Sequence, residues 1–235
     1  KFLVPAALLA ATALTPAQAA DVFNRVATFP ILDNLPKDQD PAKSTAAEIV
    51  SVSDDGNLLM YTDAGRKALG MIDITDPKSP KPAGFIPLDA EPTSVKIVGD
   101  RAFAAVNTTE DFTKPSGYLA SIDIKSKKVL SKCDLGGQPD SITVTADKSV
   151  LALAIENQRN EEVNDGAIPQ APSGNLTLVS LKGGELDCGS LKAVNLDGLA
   201  DIAPEDAEVE FVDMNSKGEV ALTMQENNYI AIVDV

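Results

Sequence analysis

The stretch Met71-Ile72-Asp73-Ile74 decides the fold, because an apolar strand of this kind recurs along the rest of the chain. The copies lie about 50 to 57 residues apart, and each has a polar residue between aliphatic ones: Ser121-Ile122-Asp123-Ile124, Leu178-Val179-Ser180-Leu181 and Ile232-Val233-Asp234-Val235. A repeat of this length with several strands per unit is typical of a β-propeller, in which each unit forms one four-stranded blade.

Each unit also contains an alternating strand, a tight turn and a more apolar second strand ahead of the repeated stretch. In the second unit these are Ser94–Val98, Gly99-Asp100 and Ala102–Val106. Asp, Asn and Gly in the turns supply the positive φ that tight hairpins require. A weaker fourth strand follows in three units, as in Ala83–Leu88. A β-sandwich is the alternative, but it does not require the same unit to recur, so the pattern favours a propeller.

The repeats divide the chain into blades at 46–88, 91–136 and 138–197 and a partial blade at 206–235. An N-terminal strand over Val22–Phe29 and a lead-in loop are expected within residues 20–45. The fourth unit stops on its third strand, so we expect an all-β, incomplete propeller of about three and a half blades. A ring of about six to eight blades would be completed by a downstream part of the same polypeptide. The last strand, Tyr229–Val235, should then present an unpaired edge that promotes aggregation.

The first 19 residues have the pattern of a secretory signal peptide. Lys1 precedes the apolar run Phe2–Ala11, and the small-residue site Ala17-Gln18-Ala19 predicts cleavage after Ala19. The run is too short to span a bilayer, so we expect no membrane span in the mature chain and a secreted or periplasmic location. In such a compartment Cys133 and Cys188 either form a disulfide or remain two small buried thiols.

Composition excludes several classes of function. The chain has 235 residues, with 35 acidic and 20 basic side chains and a net charge of −15. Nucleic-acid and polybasic membrane surfaces need basic patches, so both are excluded as partners. The chain contains no His and no Trp, so a Ser-His-Asp triad or a His-bound zinc cannot be built. Any chemistry must use carboxylates, hydroxyls, Lys, Arg, backbone amides or a hard cation on oxygen ligands.

Carboxylates are expected to meet at one mouth of the propeller channel. In a propeller, the starts of the inner strands and the ends of the second strands share one face, and the side chains at those positions are Glu48, Glu91, Asp140, Glu156 and Glu208. Oxygen-only clusters are what Ca²⁺ prefers, and such crowding also raises carboxyl pKa values. We therefore expect these five residues to bind Ca²⁺, and millimolar Ca²⁺ to raise the melting temperature. The alternative is that they are ordinary turn residues.

Two arginines on the same face, Arg66 and Arg159, could bind an anionic group of a small-molecule or phosphorylated substrate. Arg159 belongs to the long loop 156–174, and loops of this length in compact folds are often functional. The alternative is that both arginines serve only to solubilise the surface.

Several segments resemble the esterase-like phytase family of exported bacterial propellers and its choice-of-anchor and YVTN-type relatives. The most specific are Gly136-Gly137-Gln138-Pro139-Asp140-Ser141 and Gln225-Glu226-Asn227-Asn228, and weaker ones are Phe23–Pro30, Ala47–Val50, Gly84–Leu88 and Glu91–Val95. The resemblance covers residues from about 22 to the end. It implies a secreted or periplasmic propeller and a phosphatase-like or phytase-like activity, although no catalytic motif of the family falls on this chain.

Two functions follow from these observations. The first is Ca²⁺-dependent hydrolysis of phosphate esters by the full-length protein. The second is a non-enzymatic propeller that binds a ligand or attaches to a surface, as many propellers serve as platforms.

Overall fold

The computed structural model describes residues 24–235, and within them fifteen strands form four antiparallel sheets. Helical structure in this part of the chain is limited to the 3₁₀ turns Ile31–Asn34, Ala64–Arg66 and Asn164–Gly166. None of these turns is long or apolar enough to cross a membrane. The predicted signal peptide, residues 1–19, lies outside the described residues.

Each sheet is a meander whose strands pair in chain order, and we name the sheets A to D along the chain. Sheet A contains β1 Ala47–Val52, β2 Leu58–Asp63, β3 Ala68–Asp73 and β4 Lys81–Pro87. Sheet B contains β5 Glu91–Val98, β6 Arg101–Asn107, β7 Gly117–Asp123 and β8 Lys128–Asp134. Sheet C contains β9 Pro139–Val144, β10 Val150–Ile155, β11 Asn175–Lys182 and β12 Glu185–Asn195. Sheet D contains β13 Val209–Met214, β14 Glu219–Met224 and β15 Tyr229–Asp234.

The sheets pack face to face in succession, with their first strands innermost. Strand β1 lies beside β5, β5 beside β9, and β9 beside β13. One apolar cluster fills each junction between neighbouring sheets. Met60 and Val95 belong to the cluster between sheets A and B, and Leu222 belongs to the cluster between sheets C and D. Small, fully buried side chains such as Ala104 and Ala152 on the second strands allow the sheets to approach closely. The prediction of an all-β, incomplete propeller is confirmed.

The expected N-terminal strand over Val22–Phe29 begins outside the described residues and stays a prediction. Residues 24–29 belong to no sheet in the described part of the chain. The following turn instead docks on sheet A through the buried Asn34, whose Nδ2 donates hydrogen bonds to the carbonyl of Gly84 at 2.8 Å and to Tyr61 Oη at 3.3 Å.

A disulfide joins the outer strands of sheets B and C. Cys133 on β8 is 1% exposed and is bonded to Cys188 on β12, with 5.3 Å between their Cα atoms. Arg101 adds an ion pair across the same junction, because its Nη2 lies 2.7 Å from Glu185 Oε1. Of the two possibilities left open by the sequence, the structure therefore contains the disulfide.

We predict that Gly174→Ala destabilises the protein by about 2 kcal/mol, because there is no room for a methyl group. A Cβ atom at Gly174 would lie 2.4 Å from the carbonyl oxygens of both Ala207 and Ile155. Gly189→Ala is the matched control, since its nearest neighbour would be an Asp187 carboxylate oxygen at 3.4 Å. Urea unfolding measures both variants, and equal stabilities would contradict the prediction.

Candidate functional site

An acidic cavity of about 450 Å³ lies where the inner strands of all four sheets meet. Five carboxylates line it, and no Lys or Arg is found among its described lining residues. The lining residues are Glu48, Ile49, Glu91, Thr93, Asn107, Gln138, Asp140, Ser141, Glu156, Gln158, Glu210 and Phe211. We call this space the acidic cavity. It lies on the face that the sequence analysis indicated as the channel mouth.

A break in strand register at the same level of each blade turns these side chains toward the cavity. The pairing of the first strand with the second is interrupted once in every sheet, around Glu48, Thr93, Asp140 and Glu210. Bulges of this kind redirect a side chain and end local pairing. In sheets A and D a second-strand hydroxyl satisfies the freed backbone: Ile49 N–H donates to Thr62 Oγ1 and Phe211 N–H to Thr223 Oγ1, both at 3.1 Å.

Burial and mutual repulsion raise the pKa values of the carboxyl groups in and beside the cavity. Burial is the main cause for Asp140, whose pKa rises to about 7, with Glu210 and Glu48 adding repulsion. The pKa of Glu156 rises to about 8 through burial and the charges of Asp140, Glu210 and Glu208. The pKa of Glu210 is also raised, chiefly by burial. Near neutral pH the cavity therefore holds protons that a bound cation could replace.

Gln138, one of the lining residues, has a buried side-chain acceptor without a hydrogen-bond donor. Its side chain is 4% exposed, and its Nε2 donates to Glu156 Oε2 at 3.2 Å and to Gln158 Oε1 at 3.4 Å. Because the amide nitrogen faces a carboxylate, the amide oxygen is the remaining group. That oxygen, Oε1, is buried and accepts no hydrogen bond from the described residues.

Glu208 lies beside the cavity rather than in its lining, and it is 2% exposed. Burial and repulsion from Asp206 raise its pKa to about 7, although Arg159 opposes the shift. Arg159 Nη1 lies 2.9 Å from Glu226 Oε1 and 3.7 Å from Glu208 Oε2. The guanidinium from the long loop therefore already serves as the counter-ion of these two carboxylates.

Arg66 is separated from Arg159 and is 6% exposed. Its Nη2 donates to the carbonyl of Lys43, and neither Nε nor Nη1 has a hydrogen-bond partner among the described residues.

The structure thus brings Glu48, Glu91, Asp140 and Glu156 together, places Glu208 next to them, and engages both predicted substrate-binding arginines in contacts within the chain. Their role toward a substrate stays a prediction.

The carboxylates surround the cavity without converging on one point. Within residues 24–235 no group of three or more His, Cys, Asp and Glu side chains lies close enough to hold a metal ion. The expectation of bound Ca²⁺ stays a prediction.

Some polar residues at the same strand ends have a structural role. The side chain of Asp63 accepts a hydrogen bond from Ala46 N–H, and Asn157 Oδ1 accepts one from Gln138 N–H, both at 2.9 Å. Asn227 Oδ1 accepts one from Glu208 N–H at 3.0 Å. These three side chains satisfy backbone groups that the strands leave unpaired.

Two residues of the site escaped the sequence analysis. Glu210 lies two positions after Glu208, and the two-residue periodicity of strands could have indicated it. Gln138 was part of a quoted motif, but nothing in its type or spacing shows that its oxygen lacks a donor. That property depends on the neighbours, which only the folded chain defines.

The comparisons with known proteins identify a family. A family model described as "Choice-of-anchor I domain" matches residues 48–235, whereas no curated protein sequence matches. Among solved structures, hydrazine synthase of Kuenenia stuttgartiensis is similar, with 16% identity and a TM-score of 0.43. The match covers 80% of this chain and 64% of the hydrazine synthase chain. The present chain therefore spans less than two thirds of the length of the hydrazine synthase chain.

The matched model agrees with the choice-of-anchor part of the resemblance, while the phytase-like part stays a prediction. Domains of this family are bacterial surface or extracellular domains, in agreement with the disulfide between Cys133 and Cys188. Since the match extends over most of its length, the chain belongs to the choice-of-anchor I domain family.

Proposed function

We propose that this chain is a non-enzymatic ligand-binding domain of a surface-associated protein, and that the acidic cavity binds a positively charged ligand. The observation that carries the proposal is the lining: five carboxylates from four sheets, with no basic residue among them. A ligand enters a space already shaped by rigid strands, as binding sites usually require.

Electrostatics supports a cationic ligand. Two unit charges about 6 Å apart repel by about 3 kcal/mol at an effective dielectric of about 20. Asp140 and Glu156 relieve this repulsion by retaining protons, as their raised pKa values indicate. A cation would relieve it as well and would bind the folded state in preference to the unfolded one, so binding should stabilise the protein.

Hydrolysis of a phosphate ester is the second candidate. Carboxyl groups with pKa values near neutrality, such as Asp140 and Glu156, have the property that general acids need. An anionic ester would nevertheless be repelled by the cavity, and neither predicted arginine ligand belongs to its lining. The geometry therefore supports binding better than catalysis.

Thermal unfolding of the 235-residue protein with added cations tests the proposal. Calcium and 1,4-diaminobutane are titrated at low ionic strength, because salt screens such interactions. At least one of them is expected to raise the melting temperature by several degrees. Glu91→Gln/Asp140→Asn should abolish that rise, since it removes two of the five carboxyl groups of the cavity.

Asp76→Asn is the matched control. Asp76 is exposed and follows the last residue of β3. The first residue of β3, Ala68, pairs with Asp63 at the cavity end of sheet A, so Asp76 lies at the other end of this sheet. The loss of one acidic group at the opposite end of the sheet should leave the response unchanged. An equal rise in melting temperature for the parent, Glu91→Gln/Asp140→Asn and Asp76→Asn would contradict the proposal. Hydrolysis of p-nitrophenyl phosphate that depends on Asp140 would contradict it as well.

A further inference from the structure

A second cavity, of about 340 Å³, lies between the loop 108–116, which joins β6 to β7, and the long loop 156–174. Its lining consists of Phe112 from the first loop and Gln158, Arg159, Asn160, Glu161 and Glu162 from the second. We call this space the loop cleft. Gln158 also lines the acidic cavity, so the two spaces adjoin on the same face of the molecule.

The side chain of Gln170 holds the long loop in one shape. It accepts a hydrogen bond from Asn160 N–H at 2.9 Å and donates to the carbonyls of Asn160 at 3.1 Å and Ala167 at 3.2 Å. The backbone N–H of Gln170 donates to the buried Asp206 at 2.6 Å, which ties the loop to the segment ahead of sheet D. This wall of the loop cleft is therefore preorganised, as binding sites require.

Phe112 presents an apolar ring on the other side of the loop cleft. Its side chain is 39% exposed, and no other apolar residue is found among the described lining residues. The face of an aromatic ring carries partial negative charge. It therefore attracts the C–H groups of a ligand ring that lies flat against it.

The long-loop wall offers both donors and acceptors. Gln158 Oε1 and Asn160 Oδ1 accept hydrogen bonds within the chain, whereas their amide NH₂ groups donate none to the described residues. Neither nitrogen is enclosed by the chain, so a ligand can reach both. Glu161 and Glu162 add exposed carboxylates as acceptors. A hydroxyl group both donates and accepts, so hydroxyls match this wall.

The combination of walls separates the classes of ligand. An apolar ligand would leave the amide and carboxylate groups without partners, which is unfavourable. An anion would meet Glu161 and Glu162, while the cation of the described lining, Arg159, is already paired with Glu226 at 2.9 Å. A neutral saccharide suits both walls, because its hydroxyls pair with the polar groups and its C–H face covers the phenyl ring.

We propose that the loop cleft binds a neutral saccharide. Phe112 stacks on the sugar ring, and Gln158, Asn160 and the two glutamates form hydrogen bonds with its hydroxyls. The volume of about 340 Å³ is within the range of small-molecule sites. The inference concerns a second site and does not depend on a ligand in the acidic cavity.

Saturation-transfer NMR on the full chain tests the inference, because it detects weak binding. The probes are cellotetraose, maltotetraose, mannotetraose and chitotetraose, which are neutral and differ in sugar and linkage. At least one of them is expected to bind. Phe112→Ala should lower its affinity about ten-fold or more, whereas Phe112→Tyr, which keeps the ring, should retain it.

Phe211→Ala is the matched control. Phe211 is also exposed, at 55%, but it lines the acidic cavity rather than the loop cleft. Removal of its ring should leave saccharide binding unchanged. Glu91→Gln/Asp140→Asn should bind the saccharide as the parent does, because neither residue lines the loop cleft.

Absence of transfer to all four oligosaccharides, or an affinity that Phe112→Ala leaves unchanged, would overturn the inference. Adenosine or phenylalanine amide binding as tightly as the best oligosaccharide would overturn it too, because the ring would then stack on any flat ligand. If a saccharide binds but no cation raises the melting temperature, the inference stands and the proposed function fails. The opposite pair of results would leave only the proposed function.

Discussion

At about pH 9, Asp140→Asn/Glu156→Gln is expected to be more stable than the parent protein by about 3 kcal/mol. This free energy is smaller than the full pKa shifts would give, because both carboxyl groups are partly exposed and interact with each other. The ordinary pKa values of these groups are 3.8 and 4.5, and in the folded chain they are about 7 and about 8. Between about pH 4 and pH 8 the folded state therefore binds more protons than the unfolded state does. The unfolding free energy of the parent must fall as pH rises through this window.

The variant lacks both titrating groups, so its advantage should grow with pH. Well below pH 4 both carboxyls are protonated in either state, and the two proteins should differ little. Above about pH 8 both are ionised in either state, and the full repulsion is present in the folded parent. Amides retain acceptor oxygens, so Glu156→Gln keeps an acceptor for the hydrogen bond that Gln138 Nε2 donates.

Urea unfolding at about pH 4 and pH 9 measures this difference, with Asp76→Asn as the control. The expected stabilisation at pH 9 corresponds to a rise in melting temperature of roughly 8 °C for a chain of this size. A difference between variant and parent that is the same at both pH values would show that the carboxyls do not titrate as the structure indicates.

Removal of the disulfide is expected to lower the unfolding free energy by about 4 kcal/mol, the largest effect we predict. Cys133 and Cys188 are separated by 55 residues, so the bond restricts a long loop in the unfolded chain. It also joins the outer strands of two neighbouring sheets. Loss of the bond allows these edges to separate, while the Arg101–Glu185 ion pair at the same junction contributes much less because it is partly exposed.

Urea unfolding with and without a reductant tests this expectation. The parent should lose stability on reduction, whereas Cys133→Ala/Cys188→Ala should be less stable from the start and should not respond to the reductant. Reduction that leaves the unfolding midpoint of the parent unchanged would contradict the prediction.

The fold could be derived from the sequence because its signal is local and repeated. The stretch around Asp73 and its copies shows the period, and the short turns force consecutive strands to pair as a meander. Consecutive pairing requires no long-range information. Asn34, in contrast, attaches the chain ahead of β1 to sheet A by side-chain hydrogen bonds that no local pattern indicates.

The sequence by itself also determined which face of the propeller is acidic. Glu48, Glu91 and Asp140 lie at the starts of first strands and Glu156 follows the end of a second strand, and repeated units bring these two kinds of position to the same face. What each side chain does there was decided only by the tertiary structure. Whether Gln138 Oε1 has a donor, whether Arg159 is already paired and whether Cys133 meets Cys188 all depend on atoms from different blades. The physical reason is that strand periodicity is set by neighbours along the chain, whereas burial, charge compensation and hydrogen bonding are set by neighbours in space.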